Sequence, residues 1–99
     1  MSIGRRRSEL EIIRDILRMG GGRTTSLRYA VNLSHSQMKK YLAFLERSSL
    51  IVLERQGPRS WAYQATEKGN HALAELERLF ALLGIEAGVE NWDENNRQA

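Results

Sequence analysis

Apolar residues recur at helical spacing in four stretches of the chain and at strand spacing in two. Leu10, Ile13, Ile16 and Leu17 form one face of a helix that opens at Ser8. Ser8 and Glu11 stand at the spacing of a capping box, in which hydroxyl and carboxylate each take up a backbone N–H of the first turn. Gly20-Gly21-Gly22 ends this helix. Thr24 or Thr25 caps a second, short helix reaching to about Val31, with Leu27, Ala30 and Val31 on its buried side. Asn32-Leu33 makes a turn. Ser34 and Gln37 form a second capping box, opening a third helix that runs to about Arg47 or Ser48 with Met38, Tyr41, Leu42 and Leu45 facing inward. Leu50–Glu54 reads as a strand and Trp61–Ala65 as its return, joined by residues 55–60, which hold a Gly and the only Pro. Thr66 caps a last helix, Glu67 to about Ile85.

The order helix, helix, helix, strand, strand, helix predicts a mainly α fold with a small β-hairpin, the arrangement of a winged helix-turn-helix, with an added coiled-coil-like C-terminal helix. The expected organisation is a flexible basic arm at 1–7, a winged-helix domain at 8–65, a dimerisation helix at 66–87 and a disordered acidic tail at 88–99 that carries Trp92.

Length and composition narrow the function. At 99 residues, 41% hydrophobic and 27% charged, the chain has the makings of one soluble domain with a small core. The absence of Cys excludes disulfides, thiolate metal sites and a Cys nucleophile. His35 and His71 are far apart in sequence, so no metal or cofactor is expected. The glycine triplet follows a helix and precedes no Gly-Lys-Ser/Thr, which removes a phosphate-loop reading. Nothing resembles a catalytic triad or paired catalytic carboxylates, so the chain is not read as an enzyme. With neither a membrane-length apolar run nor a signal sequence, the expected place is the cytoplasm, at the nucleoid.

Charge is divided along the chain. Residues 1–64 hold 12 Lys+Arg against 5 Asp+Glu, whereas residues 65–99 hold 3 against 7. An anionic partner is therefore expected for the first two-thirds only. On the third helix, Ser36, Lys40, Ala43 and Arg47 fall opposite the core face, flanked by Lys39 and Gln37. Lys and Arg match phosphates or guanine, Gln matches adenine, and Ala43 permits close approach to a thymine methyl. Arg55 and Arg59 flank the hairpin tip, where a wing meets backbone or minor groove. Arg5, Arg6 and Arg7 supply a basic arm. These residues make double-stranded DNA the expected partner. Trp61 and Tyr63 share a strand face that is expected to pack on the fourth helix, with base stacking the alternative, and Phe44 lies off the core stripe. Two other readings stand beside a gene regulator: an architectural chromatin protein with little sequence preference, and a winged-helix module for protein assembly. The latter would show an apolar face on the third helix, where this chain is cationic and polar.

The run Asn32-Leu33-Ser34, Gln37-Met38-Lys39-Lys40-Tyr41-Leu42, then Leu50-Ile51 and Thr66-Glu67-Lys68-Gly69, resembles a family of small archaeal winged-helix proteins. That family includes the ten-kilodalton chromatin-associated DNA-binding proteins that dimerise through a C-terminal helix. Over residues 8–85 the resemblance implies duplex DNA binding, no catalysis and a homodimer, antiparallel at its helices, with Ser36, Gln37, Lys39 and Lys40 on the recognition helix. Where the family often has Gly before Leu-Ile, this chain has Ser49; a positive φ there would strain it. On the last helix Leu73, Leu76, Phe80, Leu83 and Ala87 step by three and four, an a/d stripe widened by Leu79 and Leu82. This stripe is the expected dimer interface; the alternative is that it covers the winged-helix core of its own chain.

Overall fold

The structure, a computed structural model, describes residues 7–84. Arg5, Arg6, Ala87, Trp92 and the acidic tail lie outside the described residues. The elements run α1 (Glu9–Met19), β1 (Gly21–Arg23), α2 (Thr24–Ala30), α3 (His35–Arg47), β2 (Ile51–Gly57), β3 (Ser60–Ala65) and α4 (Glu67–Leu83). The strands form one antiparallel sheet in the order β1-β3-β2.

Both capping boxes form: Ser8 Oγ accepts from the Glu11 N–H and Ser34 Oγ from the Gln37 N–H, each at 3.1 Å. The glycine triplet does more than end α1. Gly20 terminates the helix at φ 84°, and Gly21-Gly22 continue as the edge strand β1, paired with Gln64 and Tyr63. A Cβ on Gly21 would stand 2.9 Å from the Tyr63 carbonyl oxygen, so the close strand approach needs glycine there. Because β1 passes directly into α2, the N-cap position falls to Arg23, and neither threonine caps; Thr24 is the first helical residue and is buried.

The core joins Ile12, Ile13, Ile16 and Leu17 of α1 to Leu27, Val31 and Leu33 and to the predicted α3 face, with Ile51, Tyr63 and Ala65 from the sheet. Two inward assignments change. Leu10 and Ala30 are exposed, and Ile12 is buried in place of Leu10. The α1 stripe is rotated because α4 packs alongside it, antiparallel: Arg18 pairs with Glu77 at 2.6 Å, and the Arg14 guanidinium lies 5.0 Å from the Phe80 ring centre. Arg14 is itself buried and donates to Asp15. Burial of Tyr63 pushes its hydroxyl up to about 12.

The turn from α3 into β2 and the start of α4 form one unit, and this is where the Thr-Glu-Lys-Gly run acts. Thr66 caps α4 by accepting from the Gly69 N–H at 3.0 Å, and its hydroxyl donates to the Ser49 carbonyl at 2.7 Å. Lys68 donates to the Ser48 carbonyl, and the Thr66 N–H to the Leu50 carbonyl, each at 3.0 Å. Within this turn Ser49 has φ 63°, the left-handed conformation that costs a side-chain-bearing residue roughly 1 kcal/mol more than glycine. Ser49→Gly is expected to raise stability by about 0.5–1 kcal/mol, a Tm increase of about 3–6 °C. Thermal melts of the two chains by circular dichroism check this.

Candidate nucleic-acid interface

Helix α2, the turn at Val31–Ser34 and helix α3 make the helix-turn-helix. Asn32 takes φ 60° in the turn, a conformation its short amide tolerates. Leu33 is buried beneath it, and Arg28 of α2 donates to the Leu33 carbonyl at 3.2 Å. The turn is therefore held from both sides, which fixes how α3 stands out from the body.

Strand register explains the wing. Ile51 faces Ala65, Leu53 faces Tyr63 and Arg55 faces Trp61 across the hairpin. These pairs share one sheet face, since directly opposed residues point to the same side. That face starts in the core at Ile51 and Ala65, and farther out becomes the wall of an open groove of about 480 Å³ between α3 and the wing. Met38, Leu42 and Leu53 line it with Trp61, a residue 44% exposed. Arg28, Lys39 and Arg59 bring three cations to the same groove, with His35 and Thr25 at its α2–α3 end, and Glu46 is the one acid among the described residues lining it.

The sequence-predicted residues divide by place. Lys39, Ala43 and Arg59 line this groove; Lys40 and Arg47, with Ala43 between, lie on the other flank of α3, towards α1. Ser36 is exposed near the start of α3. Gln37 is exposed, but its Oε1 accepts from the Ser34 N–H at 2.9 Å. Bidentate contact with adenine uses that same oxygen, so the capping box already takes up part of its accepting capacity and fixes its direction. Arg55 folds back on the hairpin tip and donates to the carbonyls of Gly57 and Pro58, each at 3.1 Å; it braces the tip. The strands extend through Gly57 and resume at Ser60, so the turn is tighter than the residue 55–60 loop expected.

Three expectations are corrected. Arg7 is not part of a free arm: it donates to Asp15 at 2.9 Å and to the Val31 carbonyl, tying the start of α1 to the helix-turn-helix. Trp61 does not pack on α4. That helix starts beyond the opposite end of β3, and the indole faces α3. The α4 stripe is also divided: Phe80 is 4% exposed within a single chain, and Leu73 and Leu76 pack against the chain's own core. The apolar surface left on α4 is Leu79, Leu82 and Leu83, at 42%, 78% and 56% exposed.

Arg28, His35 and Trp61 escaped the sequence reading as groove residues. For Trp61 the signal existed, because period two places it beside Tyr63 and beyond the core end of the sheet. For Arg28 it did not, because its place depends on the angle between α2 and α3.

A helix α3 exposed on its outer face, a helix-turn-helix held by its own turn and a two-stranded wing define a winged helix-turn-helix protein. The winged helix-turn-helix family model matches residues 6–84, and the chain belongs to that family, which is not one of enzymes. Its fold is similar to that of Sso10a-2, a DNA-binding protein from Sulfolobus solfataricus, with a TM-score of 0.72 and 22% identity over 93% of this chain and 92% of that one. It is also similar to the RosR protein of H. salinarum, with a TM-score of 0.61 and 15% identity over 95% and 91% of the two chains. The PcaV transcriptional regulator of Streptomyces coelicolor matches with a TM-score of 0.66 and 17% identity over 77% of this chain and 57% of its own. A search of curated proteins finds no match. No helix among the described residues is long and apolar enough to cross a membrane.

Proposed function

We propose that the protein is a homodimeric transcriptional regulator that binds double-stranded DNA, with α3 in the major groove and the β2–β3 wing along the adjacent backbone or minor groove. The observation that carries this is the convergence of Arg28, Lys39 and Arg59, from three separate elements, on one open groove beside α3. Lys40 and Arg47 extend the positive surface across the helix. Cations placed this way neutralise phosphates and release counterions. Duplex affinity is expected to fall with salt, log K against log salt having a slope of about −4.5 per chain for five such contacts. Fluorescence anisotropy of a labelled duplex at several salt concentrations measures it. Undetectable binding at low salt overturns the reading.

An architectural role has its own support. The centre of the α3 face offers Ser36 and Ala43, and Gln37 is engaged in its capping box, so few groups are left to read base edges. Selection of bound sequences from random duplexes at near-physiological salt separates the two: a sharp motif indicates a regulator and a flat profile an architectural protein.

The dimer is proposed through the free side of α4. Leu79, Leu82 and Leu83 form an apolar patch on a small domain, and a two-fold axis there would present two recognition helices to one duplex. Light scattering at tens of micromolar should give the mass of two chains, and Leu82→Glu with Leu83→Glu the mass of one. A single-chain mass for the unaltered protein refutes the dimer.

A further inference from the structure

A second groove, of about 380 Å³, lies on the other flank of α3, against α1. Its lining is apolar: Ile13, Tyr41, Ala43 and Phe44. Phe44 is 40% exposed, with the Arg47 guanidinium 5.8 Å from its ring centre. Lys40 and Arg47 add two cations to the lining. Glu9 is the acid there, 3.7 Å from Lys40. A large aromatic side chain flanked by carboxylates complements such a surface, the ring on the apolar floor and the carboxylates on the cations.

The chain carries such a segment. Glu90, Trp92, Asp93 and Glu94 follow α4 in sequence, with Arg97 the one cation after Gly84. The fold delivers it to the right end of the molecule. Because Arg18 pairs with Glu77 and Arg14 with Phe80, α4 runs antiparallel to α1 and its last residues come out beside the first turn of α1. Glu9, in that first turn, lines the groove. Trp92 is eight residues past Gly84, a span of up to about 26 Å extended, and Ile13 is only about 6 Å along α1 from Glu9.

We propose that residues 90–94 dock in this α1–α3 groove, with Trp92 against Phe44 and the carboxylates on Lys40 and Arg47, and so hold the recognition helix in an autoinhibited state. This rests on the DNA reading for its consequence: the same two cations serve the duplex, so tail and DNA exclude one another. Tethering gives the tail an effective concentration near the millimolar range. If it occupies the groove nine-tenths of the time, only about a tenth of the protein is free and apparent duplex affinity is reduced about tenfold.

The test uses the full chain. With Trp61→Phe, Trp92 is the sole tryptophan; its emission should be blue-shifted from that of free indole in water and should move to the red in a Phe44→Ala background. Separately, with Trp61 intact, Glu90→Gln with Asp93→Asn and Glu94→Gln should tighten duplex binding about tenfold at low salt. Trp92→Ala, which leaves net charge unchanged, should also tighten it, and should have no effect once Phe44→Ala is present. Emission like that of free indole and unaffected by Phe44→Ala overturns the docking. So does unaltered duplex affinity in Trp92→Ala, which leaves the groove to a second copy or another protein. Should no variant bind duplex, the DNA reading fails, and the emission measurement still decides the docking.

Discussion

Gly69→Ala should unfold much of the protein at 37 °C, although alanine is the better helix former by about 1 kcal/mol. A Cβ at Gly69 would overlap the carbonyl oxygen of Leu50. That oxygen cannot retreat easily, because it accepts from the Thr66 N–H at 3.0 Å and the adjoining turn is tied by Thr66 and Lys68. Relief requires moving α4 away from β2, which opens the packing of Leu73 and Leu76 on the core. A cost of about 3–4 kcal/mol follows from forced overpacking against rigid backbone. For a domain of this size, that is a Tm lower by about 15 °C or more. A circular dichroism melt decides the sign: a gain in Tm would mean that propensity outweighs the overlap and that α4 can shift freely.

Lys39→Ala with Arg59→Ala should weaken duplex binding about 30-fold per chain, roughly 2 kcal/mol, and flatten the salt dependence by about 1.8 in slope per chain, the share of two phosphate contacts. These residues face one groove from two elements, α3 and the wing. Removing both tests whether helix and wing engage the same duplex. Arg55→Ala should behave differently. Its guanidinium braces the Gly57 and Pro58 carbonyls, so its loss should loosen the wing and weaken binding without a matching change in salt slope. Anisotropy titrations at three or more salt concentrations separate the two. Unchanged affinity in the double variant would show that the binding face has been placed on the wrong flank of α3.

Local signals made most of the fold legible. The two capping boxes fixed where α1 and α3 begin, and the Met38, Tyr41, Leu42, Leu45 stripe fixed which way α3 faces. Those rules act within one turn of helix, so one sequence suffices to read them. What stayed hidden depended on partners far along the chain. Strand β1 exists only because β3 lies beside two glycines, and no periodicity announces a three-residue strand. Arg14 sits mid-helix among charged neighbours, and its burial depends on Phe80, 66 positions later. The heptad stripe of α4 was correctly apolar, yet spacing alone could not say that Phe80 serves the chain's own core while Leu82 faces outward. The site was half legible for the same reason. Helical phase found Lys39, Lys40, Ala43 and Arg47; Trp61 was within reach of strand period carried past the core end of the sheet, but Arg28 needed the angle between α2 and α3.

The seating of α4 has a metrical consequence. The helix is pinned at its start by the Thr66 cap, along its length by Arg18 to Glu77, and near its end by Phe80 over buried Arg14. A lever fixed at three points cannot swivel against the body that carries α3. In the proposed dimer the two reading heads therefore form a rigid caliper whose opening is set by α4. Such a caliper accepts two half-sites in one helical phase and rejects a spacer lengthened by about 5 base pairs, while an insertion of about 10 restores the phase but not the distance.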